Sequence, residues 1–173
     1  MAILEVVMRS VPPGPPGGRG LERDPALVPL SRDHHFALRQ AFWMRRAAGA
    51  PDMEAATRVA RDYLTFHRDE LVPHIADEEE ILFPAFEPFD REGTQRLRRE
   101  HHEIHALTSR LRSRLEEAGD PRTLMAELAS LIDDHVRYEE RAYFMAVQER
   151  LPSAVLEAVG ARIALRPRAY PTG

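Results

Sequence analysis

The sequence of 173 residues contains no cysteine. This absence excludes disulfide bonds, thiolate nucleophiles, iron–sulfur clusters with cysteine ligands and cysteine-ligated zinc. Lysine is absent too, so all 24 basic side chains are arginine. A Schiff-base lysine and the lysine of a phosphate-binding loop are therefore ruled out. Any chemistry that the chain performs must come from histidine, carboxylates, tyrosine and arginine.

Charge and hydropathy set two further limits. The 28 acidic residues outnumber the basic ones, and the net charge of −4 argues against a nucleic-acid-binding protein that depends on an overall positive field. No apolar run reaches the roughly 18 residues of a membrane span. The apolar start of the chain is interrupted by Glu5 and lacks the pattern of a signal peptide. The sequence predicts a cytoplasmic protein that binds neither nucleic acid nor membrane.

Proline and glycine divide the chain into three parts. Six of the fourteen prolines and four of the nine glycines lie in residues 1–29, which we predict to be an N-terminal extension. Residues 30–165 carry apolar side chains at spacings of three and four, the period of amphipathic helices. Residues 166–173 are predicted to be a C-terminal tail. The folded domain is expected to be residues 30–165.

Four long helices and a short fifth one are predicted in this domain. Gly49 and Gly119 are helix stops, and Asp52 and Asp120 are N-caps for the helices that follow them. Pro73 is expected to kink the second helix, because it removes a backbone donor and crowds the preceding turn. No strand pattern is present. Long helices with short connections predict an all-α fold, an up-down antiparallel four-helix bundle with a short C-terminal helix.

Histidine recurs on the apolar face of each long helix. The first helix has one such residue, and the next three have pairs four residues apart: His34; His74 and Glu78; His101 and His105; His135 and Glu139. Residues four apart lie on one helix face, one turn apart. Five imidazoles and two carboxylates that point inward are costly to bury unless they bind something. Two ions of iron, manganese or zinc would satisfy all seven.

A plainer interpretation treats these histidines separately. A single histidine on an apolar face is most often a hydrogen-bonded core residue, and one pair at a spacing of four is common on helix surfaces. Three such pairs together with a histidine on the remaining helix, all on predicted inner faces, are more typical of a metal site than of unrelated core residues. The sequence therefore predicts a metal centre inside the bundle.

Four segments of the chain resemble the hemerythrin-like, HHE cation-binding domain: SRDHHFALR, PHIADEEEILFP, REHHEIH and HVRYEER. The family pattern is a histidine near the start of the first helix, then H-x-x-x-E, H-x-x-x-H and H-x-x-x-E on the next three. The resemblance covers about residues 30–151. It implies a four-helix bundle around a non-haem centre of two iron ions joined by an oxo or hydroxo bridge.

The resemblance also implies which residues hold which iron. The first iron would be held by His101, His105 and His135, the second by His34 and His74, and both would be bridged by Glu78 and Glu139. One iron then keeps an open position for dioxygen, peroxide or nitric oxide.

Neighbouring residues compete for some of these positions. His35 adjoins His34, but the apolar stripe of the first helix favours His34. Erythrocyte-type hemerythrins have their fourth-helix carboxylate five residues after the histidine, which would be Glu140, whereas Glu139 fits the inner stripe better. His67 lies about 10 Å along the second helix from the predicted centre. It is expected to line a pocket or to make a buried polar contact.

The leading functional hypothesis is a protein that binds dioxygen or a related small ligand for storage, delivery or sensing. The alternatives are a di-iron enzyme that acts on peroxide or nitric oxide, and an iron-storage or iron-sensing protein. The absence of cysteine disfavours the branch that resembles iron–sulfur repair proteins, which carry an N-terminal cysteine-containing domain. Carrier and enzyme both require an open iron and a dry pocket, so both hypotheses are retained.

Overall fold

The computed structural model describes residues 22–167. Most of the predicted N-terminal extension and most of the predicted C-terminal tail lie outside the described residues. The part of the chain that is described is predominantly helical and contains no strand. No helix within it is both long enough and apolar enough to cross a membrane.

Residues 22–167 contain five helices, and two of them include π-helical turns. Helix α1 is Val28–Ala48, α3 is Arg91–Glu116 and α5 is Ser153–Ala164. Helix α2, residues 53–86, consists of Met53–Phe66, the π turn His67–Leu71, Val72–Asp77, the π turn Glu78–Leu82 and Phe83–Phe86. Helix α4, residues 122–150, consists of Arg122–Tyr138, the π turn Glu139–Tyr143 and Phe144–Arg150.

Local sequence signals set several helix ends where they were predicted. Helix α1 stops before Gly49, and the Asp52 carboxylate caps α2 by accepting a hydrogen bond of 2.9 Å from the backbone N–H of Ala55. Helix α4 begins one residue later than predicted, because Pro121 is its N-cap. The carboxylate of Asp120 instead accepts a hydrogen bond from the backbone N–H of Arg122.

Helix α2 continues through Pro73. A π turn, His67–Leu71, precedes the proline, and the backbone N–H of Val72 donates to the carbonyl of His67 across that wider turn. Pro73 then lies in the first turn of the α-helical segment Val72–Asp77. A proline is tolerated there because its missing N–H is no loss at a helix start. The proline marks a change of helix type within α2.

The long helices pack in a circle, with α1 and α3 each contacting both α2 and α4. They enclose two buried apolar clusters. Along α1, for example, Leu30 belongs to one cluster and Ala37 to the other, and His34 lies between them. Each of the other long helices also passes from one cluster to the other at its predicted histidine and glutamate positions. The packing therefore leaves a polar layer between two apolar ends.

Helix α5 covers the second π turn of α2 and the segment before α1. A Cβ atom on Gly160 of α5 would lie 2.6 Å from the Cβ of Ala26. Glycine is therefore required for this close approach, which holds the segment before α1 against the bundle. The fifth helix has the short length and position that the sequence predicts.

Candidate metal centre

A layer of buried histidine and glutamate side chains crosses the bundle between the two apolar clusters. Each member is at most 4% exposed, and the members are His34, His74, Glu78, His101, His135 and Glu139. Burying ionisable side chains costs free energy unless other groups compensate for the lost water. The contacts within and around this layer show what compensates.

Each carboxylate of the layer stands between imidazole Nε2 atoms from two different helices. The distances from carboxylate Oε2 to imidazole Nε2 are 3.0 Å for Glu139 and His34, 3.2 Å for Glu139 and His135, 3.4 Å for Glu78 and His74, and 3.3 Å for Glu78 and His101. Four imidazoles and two carboxylates therefore converge on one volume.

These side chains form two groups with the mutual spacing of metal ligands. Within each group, one ligand atom from every residue lies within 4.8 Å of the others. One group is His34, His74, Glu78 and Glu139, and the second is Glu78, His101, His135 and Glu139. Both glutamates belong to both groups, and a carboxylate has two oxygens with which to bridge two ions. The arrangement fits two adjacent cations.

Several atoms that face this volume make no hydrogen bond. Among the described residues, such buried atoms include Nε2 of His34, Nε2 of His101 and both carboxylate oxygens of Glu78 and Glu139. Buried polar atoms in native proteins nearly always have a partner. A cation that accepts imidazole and carboxylate ligands supplies the missing partner for all six, so the residues fit a metal centre.

The four imidazoles make a second contact, through Nδ1, to a carboxylate on a neighbouring helix. The Nδ1 to oxygen distances are 3.1 Å for His74 and Asp33, 2.9 Å for His101 and Glu79, 2.9 Å for His135 and Glu100, and 2.6 Å for His34 and Glu140. A carboxylate that accepts a hydrogen bond from Nδ1–H fixes the tautomer and the ring orientation. Nε2 is then free to bind metal.

These four hydrogen bonds, here called the outer ring, form a closed circle around the bundle. The carboxylate on each long helix accepts a hydrogen bond from the layer histidine of the next long helix. The carboxylate on α4 accepts from the histidine on α1, which closes the circle. Asp33 and Glu100 each precede a histidine of the layer, and Glu79 and Glu140 each follow a glutamate of the layer. Every long helix thus supplies ligand candidates and orients the histidine of the next helix.

The two halves of the centre repeat each other. R-D-H-H on α1 is matched by R-E-H-H on α3, and H-x-x-x-E-E on α2 is matched by the same pattern on α4. Phe83 stacks on His101 with the rings 10° apart, and Phe144 stacks on His34 with the rings 19° apart. In each half, therefore, a phenylalanine ring stacks on the first histidine of the repeated motif.

A π turn begins at each of the two shared glutamates, Glu78 and Glu139. In both turns the backbone carbonyl of the glutamate accepts from the N–H five residues later, which belongs to the stacked phenylalanine. Single π turns are frequent at functional sites because they redirect side chains within a helix. Here they link the position of each glutamate to that of its aromatic neighbour.

The structure brings together six of the seven predicted ligands, and His105 lies outside both groups. Nδ1 of His105 is 3.0 Å from Nε2 of His67, so His67 makes the polar contact that the sequence suggests for it. His35 is exposed. Glu140 lies in the outer ring, beside His34. The acids Asp33, Glu79 and Glu100 were not predicted, although each adjoins a predicted ligand in the sequence.

Substituting His105 tests whether this residue leaves His67 when metal binds. From the geometry, we expect His105→Ala to keep both metal ions, whereas His101→Ala, one turn away on α3, loses at least one. Elemental analysis after anaerobic reconstitution with ferrous iron measures both. Loss of metal from His105→Ala would contradict this expectation and would make His105 the fifth imidazole ligand that the family resemblance implies.

The carboxylates of the layer and of the outer ring shift the pKa values of the buried histidines. Burial opposes protonation of His34 and His135, but the carboxylates around them outweigh it and raise the pKa of each to about 10. Burial also opposes ionisation of Glu139, yet these two histidines hold its pKa well below the ordinary value. A metal ion would therefore compete with protons for the same imidazoles.

Metal binding at pH 7 is expected to release at least two protons, from His34 and His135, and to tighten as the pH rises. The raised pKa values stabilise the metal-free fold fully below the unfolded value of 6.5, and this stabilisation is lost as the pH rises through about 10. Calorimetric titration in buffers of different ionisation enthalpy counts the protons. Metal binding to the His34→Ala variant should release about one proton fewer. A count of zero for the unsubstituted protein would contradict the expectation.

Comparison with known proteins agrees with this geometry. The family model of the hemerythrin HHE cation binding domain matches residues 27–147. A curated protein described as a DNA nickase, from Nostoc sp. (strain PCC 7120 / SAG 25.82 / UTEX 2576), is 34% identical over 89 residues. This match covers 51% of the chain and 25% of the Nostoc protein, so the chain spans about a quarter of that relative's length. No solved structure matches the chain significantly.

Proposed function

The chain belongs to the hemerythrin HHE cation-binding family, and from this premise we propose that it is a non-haem di-iron protein that binds dioxygen or a related small ligand. The observation that carries the proposal is the pair of ligand groups that share Glu78 and Glu139. Imidazole and carboxylate ligands accept iron, manganese and zinc. Iron is proposed because, of these three, its redox chemistry suits dioxygen, peroxide and nitric oxide.

We propose that each iron has two histidine ligands and shares two carboxylates with the other iron. His34 and His74 would hold one ion, His101 and His135 would hold the other, and Glu78 and Glu139 would be shared by both. Four protein ligands for each ion would leave room for a small ligand. His105, the remaining ligand of the sequence prediction, would join them only by parting from His67.

A small cavity beside the layer supports a ligand of few atoms. It has a volume of about 10 Å³ and is lined by Asp33, Phe66, Glu70, Leu71 and His74. This volume is close to that of a single water probe. This cavity has no room for an organic substrate, which favours a ligand as small as dioxygen, nitric oxide or peroxide.

The order of the apolar clusters supports an up-down antiparallel arrangement of the four long helices. Helix α1 starts in the cluster that includes Leu30 and ends in the one that includes Met44. Helix α2 starts in the second cluster with Tyr63 and ends in the first with Phe83, and α3 and α4 repeat this alternation. Residues 30–165 as the domain, and a cytoplasmic location, remain predictions.

Bound iron would supply electrons and an open coordination position. The chain's own residues do the rest. The outer ring holds Nδ1–H of each histidine and so keeps Nε2 directed inward. Phe83 and Phe144 cover two of these imidazoles and keep water from them. A dry, preorganised site of this kind suits reversible binding of a small molecule.

Anaerobic reconstitution with ferrous iron, followed by optical spectroscopy, tests the proposal. We expect two iron ions per chain, and new visible bands when dioxygen is added that disappear when dioxygen is removed. Bands that do not reverse, together with consumption of added peroxide or nitric oxide, would favour the di-iron enzyme. Release of the iron without a response to any of the three ligands would favour iron storage or sensing. Less than one iron per chain would contradict the di-iron proposal.

DNA nicking is not part of the proposal. The name of the Nostoc protein describes a chain about four times as long as the segment shared with this one. The net charge of −4 provides no overall positive field for the phosphate backbone of DNA.

A further inference from the structure

Arg23 lies before α1 and reaches across to α4. Its guanidinium donates to the carboxylate of Glu140 at 2.5 Å, to the backbone carbonyl of Glu140 at 2.9 Å and to the side-chain oxygen of Gln148 at 2.8 Å. The same guanidinium lies 5.3 Å from the centre of the Phe144 ring. Arg23 therefore contacts both side chains that contact His34 from outside the layer. Glu140 accepts from its Nδ1, and Phe144 stacks on its ring.

The other half of the centre has an arginine beside the matching groups, but it lies within a helix and is paired more loosely, because it is also 3.7 Å from the carboxylate of Glu87. Arg98 of α3 lies 5.3 Å from the centre of the Phe83 ring and 3.9 Å from the carboxylate of Glu79. Arg98 is three residues before the layer histidine of α3, and the corresponding position on α1 is Ser31. Arg23 supplies from outside α1 the guanidinium that α1 itself does not carry at that position.

We propose that Arg23 is a positioning residue of the metal centre, through which the segment before α1 supports the Glu140 carboxylate of the outer ring. One oxygen of Glu140 accepts from His34 Nδ1 and the other accepts from Arg23. The Glu140 side chain is 27% exposed, so water competes for it when the guanidinium is removed. Glu140 then holds His34 Nδ1 less firmly, and His34 binds its ion less tightly. This inference rests on the proposed metal-binding function.

The segment has other contacts that hold it in place without Arg23. The backbone N–H of Asp24 donates to the side-chain oxygen of Gln148 at 3.2 Å, and the Asp24 carboxylate accepts from the N–H of Ala26 at 2.9 Å. Leu27 is fully buried, and Ala26 packs against Gly160 of α5. Replacing Arg23 therefore removes the link to Glu140 while the segment and the bundle stay folded.

The test compares Arg23→Gln with Arg98→Gln in the full chain. Each variant, without bound metal, is titrated with Co²⁺ against a competing chelator and followed by visible absorption. Outer carboxylates that orient a ligand change metal affinity by about 10–100-fold when lost. We expect Arg23→Gln to weaken one of the two ions by a few-fold, less than loss of Glu140 itself would, and to leave the other unchanged. Arg98→Gln should weaken the other ion by less, because Arg98 lies 3.9 Å from the carboxylate of Glu79.

Two further variants separate positioning from general stability. Arg23→Lys keeps one donor for Glu140 and should restore part of the affinity. Arg137→Gln removes an exposed arginine of α4 that pairs with Asp133, outside the outer ring, and should bind like the unsubstituted chain. Nitrogen-15 spectra of histidine in metal-free Arg23→Gln should show a changed His34 Nδ1–H signal at an unchanged melting temperature.

The outcomes distinguish this inference from the proposed function. If the unsubstituted chain binds neither Co²⁺ nor iron, the proposed function fails and this inference fails with it. If the unsubstituted chain binds two ions and Arg23→Gln binds both as tightly, only the role of Arg23 is overturned. Equal weakening of both ions, accompanied by a lower melting temperature, would also overturn it, because Arg23 would then be a purely structural residue.

Discussion

Removing metal is expected to lower the melting temperature of the protein by about 8–16 °C. The ligand candidates come from four helices, so the complete set exists only in the folded chain. A ligand that binds only the folded form, at about a thousand times its dissociation constant, stabilises it by about 4 kcal/mol. For a chain of this size, each kcal/mol shifts the melting temperature by about 2–4 °C.

Thermal unfolding followed by circular dichroism measures this effect on the protein as purified, after chelation, and after anaerobic return of ferrous iron. Glu78→Ala should abolish the shift, because Glu78 belongs to both ligand groups. Glu80→Ala is the matched control, since Glu80 is an exposed neighbour that pairs with Arg166. An unchanged melting temperature after complete removal of metal would mean that the layer binds no metal tightly.

The helices and most of the inner layer could be predicted because both follow from helical periodicity. A spacing of four places His74 with Glu78, and His135 with Glu139, on one face regardless of what surrounds them. The apolar neighbours at spacings of three and four then mark that face as inward. These relations are local to one helix, and the structure has each of them as expected.

The π turns could not be predicted in the same way. An α-helix and a π turn differ by one residue in the span of a hydrogen bond, and apolar periodicity does not encode that difference. The only local signal was Pro73, which indicated a kink. Two turns begin at Glu78 and Glu139, where several helices meet, so the wider turn is decided by packing around the polar layer rather than by the sequence of one helix.

The outer ring required the tertiary structure for a different reason. Asp33, Glu79 and Glu100 lie beside predicted ligands but at the edge of the apolar stripe, where an acid usually faces water. Their partners are on the next helix, and no pattern within one helix identifies a partner on another. The repeated occurrence of an acid next to a ligand on every helix was the available signal.

Composition also concealed the role of the segment before α1. Arg23 and Ala26 fall within residues 1–29, whose proline and glycine content is typical of an extension. The structure instead binds Arg23 to α4 and packs Ala26 against Gly160 of α5. Composition averages over the whole stretch, whereas the docking depends on a few side chains near its end.

Substitution of Glu139 is expected to remove at least one metal ion, and substitution of Glu140 to remove none. Glu139 is fully buried, belongs to both ligand groups and has two oxygens without hydrogen-bond partners. The two carboxylate oxygens of Glu140 accept hydrogen bonds from His34 Nδ1 and from Arg23. Glu139→Ala therefore removes a carboxylate that both ions would share. Glu140→Ala removes only the hydrogen bond that orients His34.

The difference between the two variants is large enough to measure by metal content and by spectrum. After anaerobic reconstitution, Glu139→Ala should hold one iron or fewer per chain and lose the visible bands of an oxo-bridged pair. Glu140→Ala should hold both ions and keep those bands, with one ion bound about tenfold more weakly. The reverse pattern would assign the bridge to the carboxylate five residues after His135, as in erythrocyte-type hemerythrins. The assignment of the inward-facing residues of α4 would then be wrong by one position, and the burial of Glu139 would need another explanation.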